Sequence, residues 1–184
     1  MQSTSQELKV RLGKFGLTVH PEKTRLLEFG RFAACNRKLS GKGRPETFQF
    51  LGFTHIVGKT STGRFAVTRK TARPRLITKL KAIKEELRHR HNAKLPELGR
   101  YLRSVVLGHF HYYGVPGNLK ALTCFRVNVS RIWKAFLERR SQRTRVTWER
   151  MNRLIDKWLP EPIAYHPYPL TRFSVTTQGR SRMR

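Results

Sequence analysis

The amino-acid sequence predicts an α+β fold, a small β-hairpin segment followed by an all-α helical domain, and three observations lead there. Residues 47–57 ("TFQFLGFTHIV") and 64–70 ("RFAVTRK") are runs rich in aromatic and β-branched residues on either side of a turn around Gly58–Gly63. Such a pair reads as two joined strands. After Lys70 the apolar spacing changes to the threes and fours of a helix. Prolines and cap-forming residues then punctuate the helical stretch at its expected starts.

Taken in order, Thr4-Ser5-Gln6-Glu7 has the T-x-x-E spacing of a capping box. Leu8, Leu12 and Phe15 follow on one helical face, and Gly16 stops the helix. "LTV" and "TRLLEF" read as short strands around the turn His20-Pro21-Glu22. Residues 31–46 are polar, basic and Gly-containing, so a loop is expected. Gly52, within the first strand run, permits a bulge or a close backbone approach. Leu76, Ile77, Leu80, Ile83 and Leu87 mark a helix beginning near Pro74. Leu98, Tyr101, Leu102, Val105, Val106 and Phe110 mark a second, beginning near Pro96. "GVPGN" breaks the chain, and Asn118 is placed to cap a third helix carrying Leu122, Phe125, Ile132, Trp133 and Phe136. Thr147 is placed to cap a fourth, with Trp148, Met151, Leu154, Ile155 and Trp158 on its apolar face. "LPEPIAYHPYPLTRF" is too proline-rich for a helix, and "QGRSRMR" is a basic tail.

Charge narrows the function classes. Lys and Arg number 39 against 11 Asp and Glu, a formal charge of +28. Self-repulsion of that size opposes compaction, and the compensating partner is a polyanion, with nucleic acid the natural one. A membrane surface would favour one amphipathic helix or a polybasic end, whereas here the charge runs along the whole chain. Asp156 is the sole aspartate, and the glutamates are scattered. Two-metal phosphoryl transfer needs several converging carboxylates, so this chain alone is not expected to build such a site, and no catalytic residue, metal or cofactor is assigned to it. Cys35 and Cys124 form no CxxC pair and suit a reducing cytoplasm, with Cys124 in a helix pattern that favours burial. No apolar run approaches membrane-spanning length, and Met1 leads into polar residues, so neither an anchor nor a signal peptide is expected.

The basic residues cluster. Arg69, Lys70, Arg73 and Arg75 lead into the first helix after the hairpin. Arg139, Arg140, Arg143 and Arg145 join two helices, and Arg180, Arg182 and Arg184 end the chain. Arginine outnumbers lysine, which favours forked contact with phosphates. His89 with His91, and His109 with His111, look like metal pairs. Residues two apart on a helix do not share a face, so surface or RNA-stacking roles are expected instead. Trp133, Trp148 and Trp158 fall on apolar helical faces and read mostly as core. The hairpin aromatics Phe48, Phe50 and Phe53 suit a tip pressed against a nucleic-acid strand, with a plain sheet core as the alternative.

These residues resemble a known family. "GLTVHPEKTRLLEFGRFA" followed by "ETFQFLGFTHI" is similar to the last part of the palm of group II intron reverse transcriptases. The remainder, with "GRYLRSVVLGHFHYYGVPGN", "RRSQRTRVTWERM", "WLPEP", "HPYP" and "GRSRMR", resembles their thumb, the maturase-specific domain X. The resemblance covers essentially the whole chain in order. It implies a palm remnant over 1–72 with a primer-grip hairpin, a helical thumb over 73–158, and a Pro-rich and basic tail over 159–184. It implies that Lys23 matches the palm lysine held near the incoming nucleotide, and that Phe50, Leu51, Gly52 and Phe53 match the hairpin that positions the primer end. Structured intron RNA and RNA/DNA primer–template duplex are the implied partners, with Mg2+ as the cofactor of the intact family enzyme. The family's fingers and catalytic Y-x-D-D aspartates have no counterpart here. The chain is therefore expected to be a C-terminal portion that binds RNA, supports splicing and lacks independent polymerisation. Two alternatives stay open: the second half of a split enzyme that needs a separately encoded N-terminal partner, and a non-functional relic.

Overall fold

The computed structural model describes residues 2–60, 62–140 and 145–167. Its elements are α1 (Gln2–Gly13), a 3-10 turn (Pro21–Lys23), α2 (Ala33–Leu39), β1 (Phe48–Phe50), β2 (Phe53–Lys59), β3 (Phe65–Thr71), α3 (Arg73–His89), α4 (Leu95–Tyr113), α5 (Leu119–Arg140) and α6 (Trp148–Trp158). The fold is α+β, a three-stranded sheet in the order β1-β2-β3 followed by helices. The chain forms two compact units. One comprises residues 1–47 and 57–66, the other 48–56 and 67–184. The boundary falls within β2 and β3, so the paired part of the β1–β2 hairpin, residues 48–55, belongs to the same unit as α3–α6.

In the first unit the sequence reading needs three corrections. "LTV" and "TRLLEF" are not strands, because neither segment finds a pairing partner and both run as irregular chain around the 3-10 turn. α1 is already helical at Gln2, so Thr4 lies inside the helix instead of capping it. The expected loop over 31–46 contains α2. Arg37 and Lys38 in its last turn suit the helix dipole, and Asn36 Nδ2 donates to Glu28 Oε1 at 2.9 Å. Its end carries a Schellman closure. Gly41 N–H bonds to Lys38 O, Lys42 N–H bonds to Arg37 O, and Gly41 sits at φ +64°, where an L side chain is strained. Only Ala33 is buried among this unit's described residues, while Leu8, Phe15, Leu17, Leu26, Phe32 and Leu39 are all exposed.

The second unit has a continuous core. Ile83 and Leu87 of α3, Leu98, Leu102, Val106 and Phe110 of α4, Leu122, Phe125, Val129, Trp133 and Phe136 of α5, and Met151 and Ile155 of α6 form one cluster. These positions follow the predicted helical stripes, because an apolar face is stable only when removed from water. α3 packs chiefly on α5, and α4 packs on both α5 and α6. Thr147 caps α6 as expected, its Oγ1 accepting from Arg150 N–H at 3.4 Å. Three side chains depart from expectation. Trp148 is 50 % exposed with the Lys134 ammonium 5.3 Å from its ring centroid, because α6 starts beyond the edge of the bundle. Cys124 is exposed, since the buried stripe of α5 runs through Leu122 and Phe125 to either side of it. His109 is buried instead of surface-lying, stacked on Phe125 with centroids 3.8 Å apart. Burial, then the Lys79 ammonium, pushes its pKa down to about 4, so it packs as a neutral ring.

Asn118 occupies the N-cap position of α5, but its side chain serves other elements. Its Oδ1 accepts from Thr71 N–H at 3.0 Å, and its Nδ2 donates to Thr71 Oγ1 and to Tyr113 O, both at 2.9 Å. One buried amide therefore ties the end of β3 and the end of α4 to the start of α5. After α6 the proline-rich segment folds back. Leu159 is buried, Arg126 of α5 donates to Leu159 O and Pro160 O, and Tyr165 stacks on His111 at 4.2 Å.

Asn118→Ala removes three hydrogen bonds and leaves the half-buried Thr71 N–H without its Asn118 partner. The expected loss is about 3 kcal/mol, since each net bond contributes roughly 1 kcal/mol. That corresponds to a Tm roughly 6–12 °C lower by circular dichroism. Asn118→Asp keeps the acceptor but loses both donors, so it should also melt early. A melt within a degree or two of the native chain for both variants would rule out the bridging role.

Candidate nucleic-acid interface

β1 and β2 are joined by two residues, with Phe50 paired to Phe53, Gln49 to Thr54 and Phe48 to His55. Leu51 at φ +47° and Gly52 at φ +77° both occupy the left-handed region, as a type I′ turn requires. The run read as one bulged strand is therefore a hairpin of its own, and the chain makes a three-strand meander. Glycine suits the second turn position, where a Cβ would also lie 2.7 Å from the Tyr113 hydroxyl. Leucine does not suit the first, because an L side chain there costs roughly 1–2 kcal/mol. Backbone strain of this kind is held only where surroundings over-determine it.

The surroundings do so here. Tyr112 Oη donates to Leu51 O at 2.9 Å, and Ala72 N–H bonds to Gly52 O at 2.9 Å. Phe53, 9 % exposed, stacks on Tyr112 at 5.9 Å and meets Tyr113 edge-on at 5.1 Å. Burial, with the neighbouring Tyr112 second, pushes the Tyr113 phenol above its usual range. Behind the tip, His55 stacks on Phe48 at 4.7 Å. Burial and then Arg69 hold its pKa below normal. The outcome is a fixed pedestal with an apolar point, since Phe50 is 60 % and Leu51 66 % exposed.

Cations lie along the adjoining helices. Arg73 and Arg75 are exposed in the first turn of α3, which contains no acidic residue. Cations at a helix N-terminus are locally unfavourable by about 0.3–1 kcal/mol each, a cost that a bound polyanion removes. Arg75, Thr78 and Lys79 of α3 face Ser104, Gly108 and Tyr112 of α4 across a groove of about 550 Å³. Tyr112 belongs to both groove and hairpin, so tip and groove form one surface.

The residues singled out by sequence fall into distinct settings. Phe50, Leu51, Gly52 and Phe53 form the tip, and Arg75 enters the groove. Arg69 is half-buried on β3, while Lys70, Arg139 and Arg145 are exposed. Arg140 has a structural contact: its Nη1 donates to Ala93 O at 2.9 Å, and its guanidinium lies 5.9 Å from the Phe136 ring centroid. Lys23 lies in the 3-10 turn of the other unit. Arg143, Arg180, Arg182 and Arg184 lie outside the described residues. Sequence reading missed Tyr112, Tyr113 and Lys79, and took Asn118 only as a helix cap. The signal available was "HYYG" at the end of an apolar helix, two adjacent tyrosines of which one must leave the core. Asp156 is 77 % exposed and lies 4.0 Å from Arg126. No group of three His, Cys, Asp or Glu side chains converges among the described residues, and none of their helices is long and apolar enough to cross a membrane.

Leu51→Asn gives the Asn-Gly pair favoured in type I′ turns. Relief of strain should raise stability by about 1 kcal/mol, a Tm gain of roughly 2–4 °C. Affinity for structured RNA should fall roughly tenfold, as expected when an anchoring leucine is lost. No gain in Tm would mean that Leu51 is unstrained. Unchanged affinity would remove the tip from the interface.

Compared with protein-family models, curated proteins and solved structures, the chain has no significant match to any of them.

Proposed function

We propose that the chain binds structured RNA as the palm-end and thumb portion of a group II intron reverse transcriptase/maturase, assisting the folding and splicing of its intron. The reading is carried by one observation: the strained, exposed Phe50–Leu51 tip is latched onto Tyr112 and Tyr113 beside the Arg75–Lys79 groove. It is supported by the +28 charge and by the motifs that resemble that family. Phosphates meet the arginines and lysines, and the rigid hairpin sets orientation, so affinity comes from charge and selectivity from shape. RNA-directed DNA synthesis belongs to the intact family protein. Its Mg2+ calls for converging carboxylates, and the described residues of this chain do not provide them.

The test is a competition titration near physiological salt, with labelled group II intron RNA displaced by unrelated RNA of equal length. The expected result is retained preference for the intron, with Arg75→Gln and Lys79→Gln each lowering the salt slope by roughly 0.7–0.9. Equal displacement by both RNAs would mean that net charge alone is acting, and the proposal would fall.

A second reading is favoured by the exposed Phe15, Phe32 and Leu39 of the first unit. We infer that a separately encoded N-terminal polypeptide of the same enzyme covers them, since exposed apolar side chains of this number mark a contact surface. Co-expression with such a half should yield a stable complex that extends a primer, whereas the chain alone does not. Failure to co-purify, or primer extension by the chain alone, would exclude the split arrangement.

A further inference from the structure

α3 carries a second basic groove, on the flank away from the α4 groove, where it meets α5. Lys84 contributes from α3, His91 from the turn that follows it, and Arg131 and Arg139 from α5. Ile132, Ala135 and Phe136 form the floor of a pocket of about 440 Å³. The arrangement follows from helical spacing. Residues 84 and 88 share one face of α3, with His91 in the turn beyond its end, and 131, 135 and 139 form one stripe on α5. Arg88 also lines the pocket but is held by Glu85 at 2.8 Å. Among the described residues no carboxylate lies within ion-pair distance of Lys84, Arg131 or Arg139, whereas Glu85, Glu86, Glu138 and Glu149 each pair with a base on their own helix or just past its end.

We infer that this pocket takes one unpaired nucleotide of an RNA strand, its base on the apolar floor and its phosphate between Lys84, Arg131 and Arg139. The volume lies within the roughly 300–1,000 Å³ range of small-ligand sites. An apolar floor with a cationic rim matches a molecule that is flat and apolar at one end and anionic at the other. Duplex RNA presents only its phosphates, so a base reaches this floor only when unstacked. His91, edge-on to Phe136 at 6.4 Å and 81°, supplies an exposed ring beside which a base can lie. Forked guanidinium donors suit phosphate oxygens better than the single carboxylates of an acidic peptide. The inference rests on nucleic acid being the partner, but uses residues separate from the hairpin tip and the α3–α4 groove.

The test uses the full chain with adenosine 5′-monophosphate and ribose 5-phosphate as probes, their affinities read by saturation-transfer NMR near physiological salt. The mononucleotide is expected to bind roughly tenfold tighter, the contribution of a stacked base. Ala135→Leu fills the exposed floor without altering charge, and should abolish that difference while leaving ribose 5-phosphate unchanged. Arg139→Gln should weaken both probes, and tests the pocket even if the first variant fails to fold. Equal affinity of the two probes for the native chain, or a preference that survives Ala135→Leu, would overturn the inference. Intron RNA preference measured on the same variants separates the two ideas. Its retention by Ala135→Leu with loss of mononucleotide preference supports the pocket. Loss of intron preference in the native chain sinks only the function proposed above.

Discussion

The amide of Asn118 is the constraint on which the second unit's geometry depends. It uses its acceptor on Thr71 N–H and both donors on Thr71 Oγ1 and Tyr113 O, at 1 % exposure. Without it, β3 would enter α3 with no fixed relation to the end of α4. The hairpin tip depends on that relation twice, because Ala72 N–H holds Gly52 O while Tyr112 and Tyr113 hold Leu51 O and Phe53. A buried polar group with every partner satisfied specifies one arrangement, since any shift leaves a desolvated donor unpaired.

Electrostatics then decide which surfaces are left cationic. The few acids are used locally: Glu85 with Arg88, Glu86 with Arg90, Lys134 with Glu138, and Arg153 with Glu149. Each exposed pair contributes only about 0.3–0.5 kcal/mol to the fold, so their stabilising role is slight. Their positional effect is larger. They neutralise helix faces, whereas among the described residues Arg73 and Arg75 at the start of α3, and Lys79, Lys84, Arg131 and Arg139 in its flanking grooves, have no carboxylate within ion-pair distance. Repulsion among cations so placed opposes folding, and a bound polyanion would relieve it. The two grooves differ in kind. The α3–α4 groove adjoins the rigid hairpin and suits a backbone held in register, whereas the α3–α5 pocket has an apolar floor suited to a splayed base.

The two units stand in contrast. The helical unit buries a contiguous set from Ile83 to Leu159, whereas the first unit buries Ala33 among its described residues and leaves Leu8, Phe15, Leu17, Leu26, Phe32 and Leu39 exposed. Apolar burial of roughly 25 cal/mol per Å² is what offsets chain entropy, and the first unit obtains little of it by itself.

By itself the sequence determined the α+β class, the four long helices with their buried stripes, the Thr147 cap, the hairpin residues and the basic character of the chain. Those properties are local, set by spacing, capping chemistry and composition within one or two turns. Only tertiary structure decided that Leu51 and Gly52 form a turn, that Asn118 serves β3 instead of its own helix, and that His109 is a neutral core ring. It likewise brought Lys84 and Arg131 to one pocket. Each of these depends on partners tens of residues away, and the choice among competing local options is made by which long-range donor, ring or charge the fold brings alongside. The α2 helix is the exception. Its end lay in the local run Leu39-Ser40-Gly41-Lys42, legible as a glycine cap but overshadowed by polar composition.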